Sequence, residues 1–572
     1  MTTIIEFLNN SLVDVFDKLQ YNKNYATFQY SDRPDLSDFQ SNCAMPLCKE
    51  LHKLPREIAE NIKNELEKTN SFSKITVDGP GFINVCLNYD IIFNILNSQI
   101  FDEKCGYKNN REKKTVVIDF SSPNIAKEMH VGHLRSTVIG ESLRRIFLFA
   151  GDKVIADNHL GDWGTPMGMV IEGVKLKFPN AKVFQDNFNE DKITDLNLTL
   201  SDFLDIYREA SAKDKTDEEF AKKVRETTKM LQDGYKPYRT LWKYFINLSM
   251  KDANELYEIL DTHFDLYNGE SSVHELIQEM IPELENKGVI TLSQGAKIID
   301  LSEFNIPPVI VQKSNGAVMY SSTDLATILY RRKELNSDLI LYVVDCRQSL
   351  YFKQIFEASK KAGYLDDKHT AEHIAFGTMN GKDGKPFKTR SGDIVKLRDL
   401  IQETIEAIEK KSSVKDKKTI QKVAVACLKF ADLINYRETN YIFDMDQFTN
   451  FEGKTGAYIL YSLVRIKSIL NNYNNVEKAI TEIKSKEEKD LIVELTKFSD
   501  VIEGTYLKRA PNILAEYVYN ICKKFNSFYS NCNINNETDI NYKNSKISLI
   551  FLVKKQIEIC LDLLGIGTVE RM

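Results

Sequence analysis

"TVVIDFSSPNIAKEMHVGHLRS", Thr115 to Ser136, decides how this chain is read. Thr115–Phe120 is a β-branched run of the length of a buried parallel strand, and a loop holding Pro123 follows it. From about His130, apolar residues recur at helical intervals: Val131, Leu134, Val138, Leu143 and Ile146. "GDKVIADNHLGDWG" then supplies a turn and a second strand, which makes a β-α-β unit. A helix that starts at the carboxyl end of such a strand presents unpaired backbone N–H groups, a natural seat for phosphate. His130, Val131, Gly132 and His133 fall at that place. Histidines there can donate to phosphate oxygens as charge develops, and a glycine lets a flat adenine ring approach the backbone. Taken alone, the tetrad is equally a helix start with two locally satisfied histidines.

Working outward, "VMYSSTDLATILYRRKEL", "DLILYVVDC" and "SLYFKQIFEASKKAG" repeat the strand and helix rhythm, so the middle of the chain is expected to be an α/β, Rossmann-like parallel-sheet domain over 111–425. Residues 185–270, polar and helical in pattern, are expected to be an insertion in it. Before it, alternating helix-like and strand-like stretches such as "LPREIAENIKNELEK" and "KITVDGPGFINVCL" predict an α+β domain over 1–110, closed by the polar linker "EKCGYKNNREKK". After it, long amphipathic stretches such as "YILYSLVRIKSIL" and "NILAEYVYNICKKFNSFY" predict an all-α bundle over 426–572.

The bulk numbers narrow the class. A chain of 572 residues needs several cores, and no apolar run is long enough to cross a bilayer. The first twenty residues carry helical apolar spacing and acidic groups, without the pattern of a signal or transit peptide. Nine cysteines without a CxxC pair or a His/Cys cluster predict neither disulfides nor structural zinc, and a reducing cytoplasm is the expected compartment. The formal charge of −6 does not announce nucleic-acid binding, although an acidic protein can carry a basic face.

With its flanks, the tetrad resembles the HIGH signature of class I aminoacyl-tRNA synthetases. "SSPNIAKEMHVGHLRSTVIG" and "NHLGDWGTPMG" are similar to the arginyl-tRNA synthetase family in particular. The resemblance extends over nearly the whole chain through "GPGFINVCL", "FDLYNGES", "MYSSTDLA", "VVDCRQSLYFKQIF", "GKPFKTRSG" and the closing "LDLLGIGTVERM". The second class signature, a mobile KMSKS loop, is degenerate: "GTMNGKDGKPFKTRSGD" offers Lys385, Lys388 and Arg390 to pyrophosphate and lacks one consensus lysine. In the family that lysine is replaced by one just ahead of the tetrad, here Lys127.

The resemblance implies an arginine–tRNA ligase that uses ATP with its Mg²⁺, holds no structural metal, and acts as a monomer away from membranes on an arginine-accepting tRNA. His130, Gly132, His133, Lys127, Lys388 and Arg390 would serve catalysis, and His130, Gly132, His133 and Lys385 would bind ATP. Tyr320 and Asp324, four apart and so on one face of a helix, would grip the guanidinium, with Asp119 adding negative charge. Ser122, Pro123, Asn124, His133 and Gln348 would hold the ammonium and carboxylate end. Read without the resemblance, Asn124 is also an ordinary Asx turn, Gln348 an exposed strand-end amide, Trp163 a core residue and His159 a locally satisfied one. The C-terminal bundle would read the anticodon, with Tyr441, Phe448, Tyr458, Tyr461 and Arg465 on stretches matching tRNA-contacting segments, and the N-terminal domain would approach the outer corner of the tRNA. The family also activates arginine efficiently only with tRNA bound. Two other readings stand beside this one: an HxGH nucleotidyltransferase acting on a small metabolite, and a tRNA-binding paralogue without activity.

Overall fold

The computed structural model describes residues 3–33, 36–125, 127–385, 387, 395–473, 479–532, 534 and 536–572. The chain forms two compact units, one of residues 112–449 with 564–567, the other of 1–111 with 450–563 and 568–572.

The first unit is built on a parallel sheet. The strands Thr115–Asp119, Lys153–Asp157, Leu339–Tyr342 and Thr370–His373 lie side by side with Thr370–His373 at one edge, then Leu339–Tyr342, Thr115–Asp119 and Lys153–Asp157. Val116, Val117 and Ile118 are wholly buried, as a run without alternation requires when helices cover both faces. The register puts His373, Tyr342, Asp119 and Asp157 in one row at the carboxyl ends. The chain passes from Thr115–Asp119 to Lys153–Asp157 on one side and later returns on the other, so the strand order reverses beside Thr115–Asp119. In open α/β sheets the crevice at such a reversal is where ligands bind.

The stretch expected to be polar forms three helices, Leu200–Asp214, Glu218–Gln232 and Lys236–Ile259. They are amphipathic rather than simply polar: Phe203, Ile206, Leu231, Leu241 and Phe245 form a core with Val170, Ile171 and Val174 of the helix Thr165–Lys177. The helix Lys417–Leu433 and the short strand Tyr441–Ile442 also belong to this unit.

The second unit joins an antiparallel four-stranded sheet from the N-terminal part to helices from the C-terminal part. Polar contacts, buried or partly buried, link the two parts: Tyr30 Oη donates to Asp500 at 2.6 Å, Gln556 Nε2 to Gln99 Oε1 at 2.9 Å, and Lys555 Nζ to the carbonyls of Ile100 and Asp102 at 2.9 and 2.7 Å. Of the aromatics in the helix Pro511–Asn531, Tyr517, Phe525 and Phe528 are core, as their helical spacing predicts.

Candidate active site

The helix Val131–Ala150 starts on the tetrad. His130 is its N-cap, with Nδ1 accepting the Gly132 N–H at 3.0 Å, and the His130 backbone N–H donates to Nδ1 of His133 at 3.0 Å. Both Nδ1 atoms are acceptors, so each neutral ring carries its proton on Nε2. Burial lowers both pKa values. The charge of Lys127 adds to the effect at His130, while His133, crowded also by His130, falls to about 3. At neutral pH the helix start therefore offers two uncharged imidazoles, 4.0 Å apart between ring centroids, each with an Nε2–H to donate. A Cβ at residue 132 would stand 2.8 Å from Cε1 of His130, so this glycine makes room for the His130 ring itself.

Ahead of the tetrad, Ser121 and Ser122 are both left-handed, with φ of 70° and 46°. Two successive non-glycine residues in that region persist only where their surroundings hold them. Here Ser121 N–H donates to Ser136 Oγ at 2.8 Å, Ser121 Oγ lies 2.8 Å from Tyr257 Oη, and Ser122 N–H donates to Asn158 Oδ1 at 3.2 Å. The turn throws Asn124 out to an exposed position, where its backbone pairs with Gly161. A Cβ on Gly161 would come 2.4 Å from Asn124 Oδ1. Pro123 is buried beside it and Lys127 is exposed.

The segment that follows the second signature meets the helix start at the backbone. Val131 N–H donates to the Val395 carbonyl at 3.1 Å and Leu397 N–H to that of Met129 at 2.9 Å, while Lys396 pairs with Glu128 at 2.9 Å. Lys385 is exposed on a turn closed by Gly381 N–H to its carbonyl at 2.8 Å. Lys388 and Arg390 lie outside the described residues.

Tyr320 and Asp324 fall in the first turns of the helix Tyr320–Lys333. Tyr320 is 61% exposed, whereas Asp324 is half-buried and accepts the Tyr351 hydroxyl. Burial raises the Asp324 pKa. Sequence reasoning passed over a second acid here, Glu270: burial, then the charges of Asp162 and Asp324, push its pKa up to about 8. Burial raises the Tyr320 and Tyr351 hydroxyls, with Asp324 adding to the effect at Tyr351 and Glu270 contributing at both. Asp162, Glu270 and Asp324 form no ion pair with lysine or arginine among the described residues; the groups acting on them are hydroxyls, the Ser271 backbone N–H, His159, Asp119 and one another, with Arg331 reaching Asp324 only through its field. "FDLYNGES" held the signal for Glu270, an acid in a glycine-bearing loop, but no periodicity distinguishes it from a surface residue.

Asp119, expected to add negative charge beside Asp324, does raise the Asp324 carboxyl by its charge and also has a partner far along the chain. Arg331 Nη2 bonds Asp119 at 2.7 Å and Asp157 at 2.8 Å, all three buried, and Ser122 Oγ donates to Asp119 at 2.8 Å. One cation is thus shared by two carboxylates, and Asp119 braces the strand ends and Ser122. Gln348 is exposed at the start of the helix Ser349–Lys361.

In the second unit, Arg465 bonds Asn526 Oδ1 at 3.1 Å and lies over the rings of Tyr461 and Tyr529 at 5.0 and 5.6 Å. Tyr458 accepts from Asn526 Nδ2 at 2.8 Å. Arg465 and Tyr529 line a cleft of about 670 Å³ with Ser468, Asn472 and Tyr473. Tyr441 and Phe448 are elsewhere and interior: Tyr441 is 7% exposed with its hydroxyl on Asp432 at 3.0 Å, and Phe448 packs on Phe443 at 9% exposure. Their rings are closed to a stacking base, because the stretch that carries them is folded into the sheet-bearing unit.

Three family models match: the class I tRNA synthetase (R) catalytic domain over 95–445, the DALR anticodon binding domain over 459–572, and the arginyl tRNA synthetase N terminal domain over 2–87. The chain is 41% identical, over the full length of both, to an arginine–tRNA ligase of Francisella tularensis subsp. holarctica, and 39% identical, again end to end, to one of Alkaliphilus oremlandii. A crystal structure of arginyl-tRNA synthetase from Plasmodium falciparum superposes with a TM-score of 0.84 at 29% identity, both chains fully covered. The Thermus thermophilus arginyl-tRNA synthetase shares the fold, with a TM-score of 0.80 at 20% identity over both full chains.

Proposed function

The chain belongs to the arginyl-tRNA synthetase family, and on that premise we propose how its residues carry out the reaction of an arginine–tRNA ligase. The observation that carries the reading is the trio Asp162, Glu270 and Asp324, acids without a paired lysine or arginine at the ligand-binding edge of the sheet. A guanidinium is the permanently charged, donor-rich group that such a site lacks. Asp324 and Glu270 receive it from two sides, and the half-buried environment strengthens the attraction. The Tyr320 ring, exposed at the helix start, covers it. Ser122, Pro123, Asn124 and Gln348 line the other end, where the ammonium and carboxylate lie.

ATP is the second substrate, with Mg²⁺ arriving on its phosphates. The arginine carboxylate attacks the α-phosphorus, one P–O bond forms, and the bond to pyrophosphate breaks. His130 and His133 donate from Nε2 to the phosphate oxygens, and Lys127 with Lys385, Lys388 and Arg390 neutralises the departing charge. In the second step the 2′-hydroxyl of the terminal tRNA adenosine attacks the arginyl carbonyl and AMP leaves.

The cleft lined by Arg465, Tyr473 and Tyr529 suits a splayed base, with aromatic rings and a cation to meet it, and Tyr461 lies under the same guanidinium. Tyr458 supports that cleft through Asn526. We place the N-terminal part of the chain at the outer corner of the tRNA, the protein in the cytoplasm as a monomer, and arginine activation under the control of bound tRNA. Charging assays test the reading: arginine is esterified to tRNA, while citrulline, with the same outline and no charge, and lysine are not. Equal charging of citrulline would refute the acidic pocket. Pyrophosphate exchange at the same rate with and without tRNA would refute the tRNA requirement.

A further inference from the structure

Asp162 touches neither substrate in the reading above, yet it is tightly constrained. Its side chain is 2% exposed. Oδ1 accepts the Ser271 N–H at 3.1 Å and Oδ2 the Ser271 hydroxyl at 2.6 Å. On the other side of Glu270, Gly269 presses on the same carboxyl group: a Cβ there would stand 2.3 Å from Cγ and Oδ1 of Asp162. The backbone completes the frame, with Glu270 N–H donating to the Leu160 carbonyl at 3.1 Å, Leu160 N–H to that of Asn268 at 3.3 Å, and Trp242 Nε1–H to that of Asp162 at 2.8 Å. Both neighbours of Glu270 in the chain are thus set against one carboxylate.

We propose that Asp162 is a positioning residue for arginine recognition, holding Gly269 and Ser271 so that the Glu270 carboxylate between them faces Asp324 and the guanidinium. The inference rests on the reading of the Tyr320, Asp324 and Glu270 pocket as the guanidinium seat. A carboxylate takes both Ser271 donors, one on each oxygen, and keeps its charge. An amide keeps its oxygen on the Ser271 N–H, but the Ser271 hydroxyl must then turn round to accept from its N–H₂, and the charge-assisted bonds are lost. A Cβ-free residue at 269 is needed because the carboxyl group fills that space.

The test is steady-state arginylation by the full-length enzyme with tRNA, comparing wild type, Asp162→Asn, Ser271→Ala, Glu270→Gln and the double variant Asp162→Asn with Glu270→Gln. Asp162→Asn is expected to raise the arginine KM about tenfold and to leave the KM values of ATP and tRNA within about twofold. Ser271→Ala moves the arginine KM in the same direction by less. The double variant matches Glu270→Gln alone, because Asp162 acts through Glu270. Additive effects in the double variant, or an equal rise in the KM for ATP, would overturn the positioning role. If Glu270→Gln raises the arginine KM while Asp162→Asn and Ser271→Ala leave it unchanged, the pocket stands and the positioning role falls. If Glu270→Gln itself leaves it unchanged, the pocket reading has failed. Should Asp162→Asn not fold, Ser271→Ala decides alone.

Discussion

The backbone N–H of His130 donates to Nδ1 of His133 at 3.0 Å, which leaves the proton of the second imidazole on Nε2. Burial lowers both pKa values below the ordinary 6.5, His133 to about 3. The rate of arginine activation at saturating substrates should therefore pass from pH 8 to pH 7 without a histidine ionisation. His133→Ala should lower that rate about 100- to 1,000-fold, the cost of one preorganised donor, with the arginine KM changed far less. A rate that follows a group of pKa near 6.5 would contradict this arrangement.

Gly132 owes its identity to the same ring. A methyl at that position meets Cε1 of His130 at 2.8 Å and must displace it. Gly132→Ala should fold normally, as alanine suits a helix, and lose about 100-fold in kcat from the misplaced donor. Circular dichroism with single-turnover activation separates the two.

Glu270 makes arginine binding depend on pH. Its pKa of about 8 in the free protein means it is mostly protonated at pH 7, and an entering cation favours the ionised form. Binding thus releases a proton, and affinity rises with pH through 8. Between pH 7 and 8.5 the arginine KM should fall roughly eightfold as the ionised fraction grows. Glu270→Gln should flatten that slope, and a KM that rises with pH in the wild type would contradict the assignment.

Arg331 joins Asp119 and Asp157 beneath the strand ends. Arg331→Met leaves two buried carboxylates without their cation and should destabilise the sheet-bearing unit by about 3–5 kcal/mol, read as a lower denaturation midpoint.

Arg465→Ala should raise the tRNA KM about tenfold, because the cation and its two tyrosine rings form one surface, while the arginine KM at saturating tRNA stays unchanged.

The sheet was legible because a strand buried on both faces must read as an unbroken apolar run, and Val116 to Ile118 do so. The helix start was legible because His130 and His133 stand one turn apart at its N-cap. Tyr320 and Asp324 followed from helical spacing. What escaped reading depends on contacts between residues far apart in the chain. Asp119 meets Arg331 across 212 positions, so its ion-pair partner could not be seen. Asp162 and Ser271 meet across 109, and Glu270 takes its meaning from them. Tyr441 looked like a free aromatic until Asp432 claimed its hydroxyl.

The most direct test of the guanidinium pocket is a crystal structure with arginine and a non-hydrolysable ATP analogue bound. The guanidinium should lie within about 3 Å of carboxylate oxygens of both Asp324 and Glu270, with the α-phosphate at hydrogen-bonding distance from Nε2 of His133. An arginine whose charged end points away from those two acids, or a nucleotide seated away from the His130–His133 helix start, would contradict it.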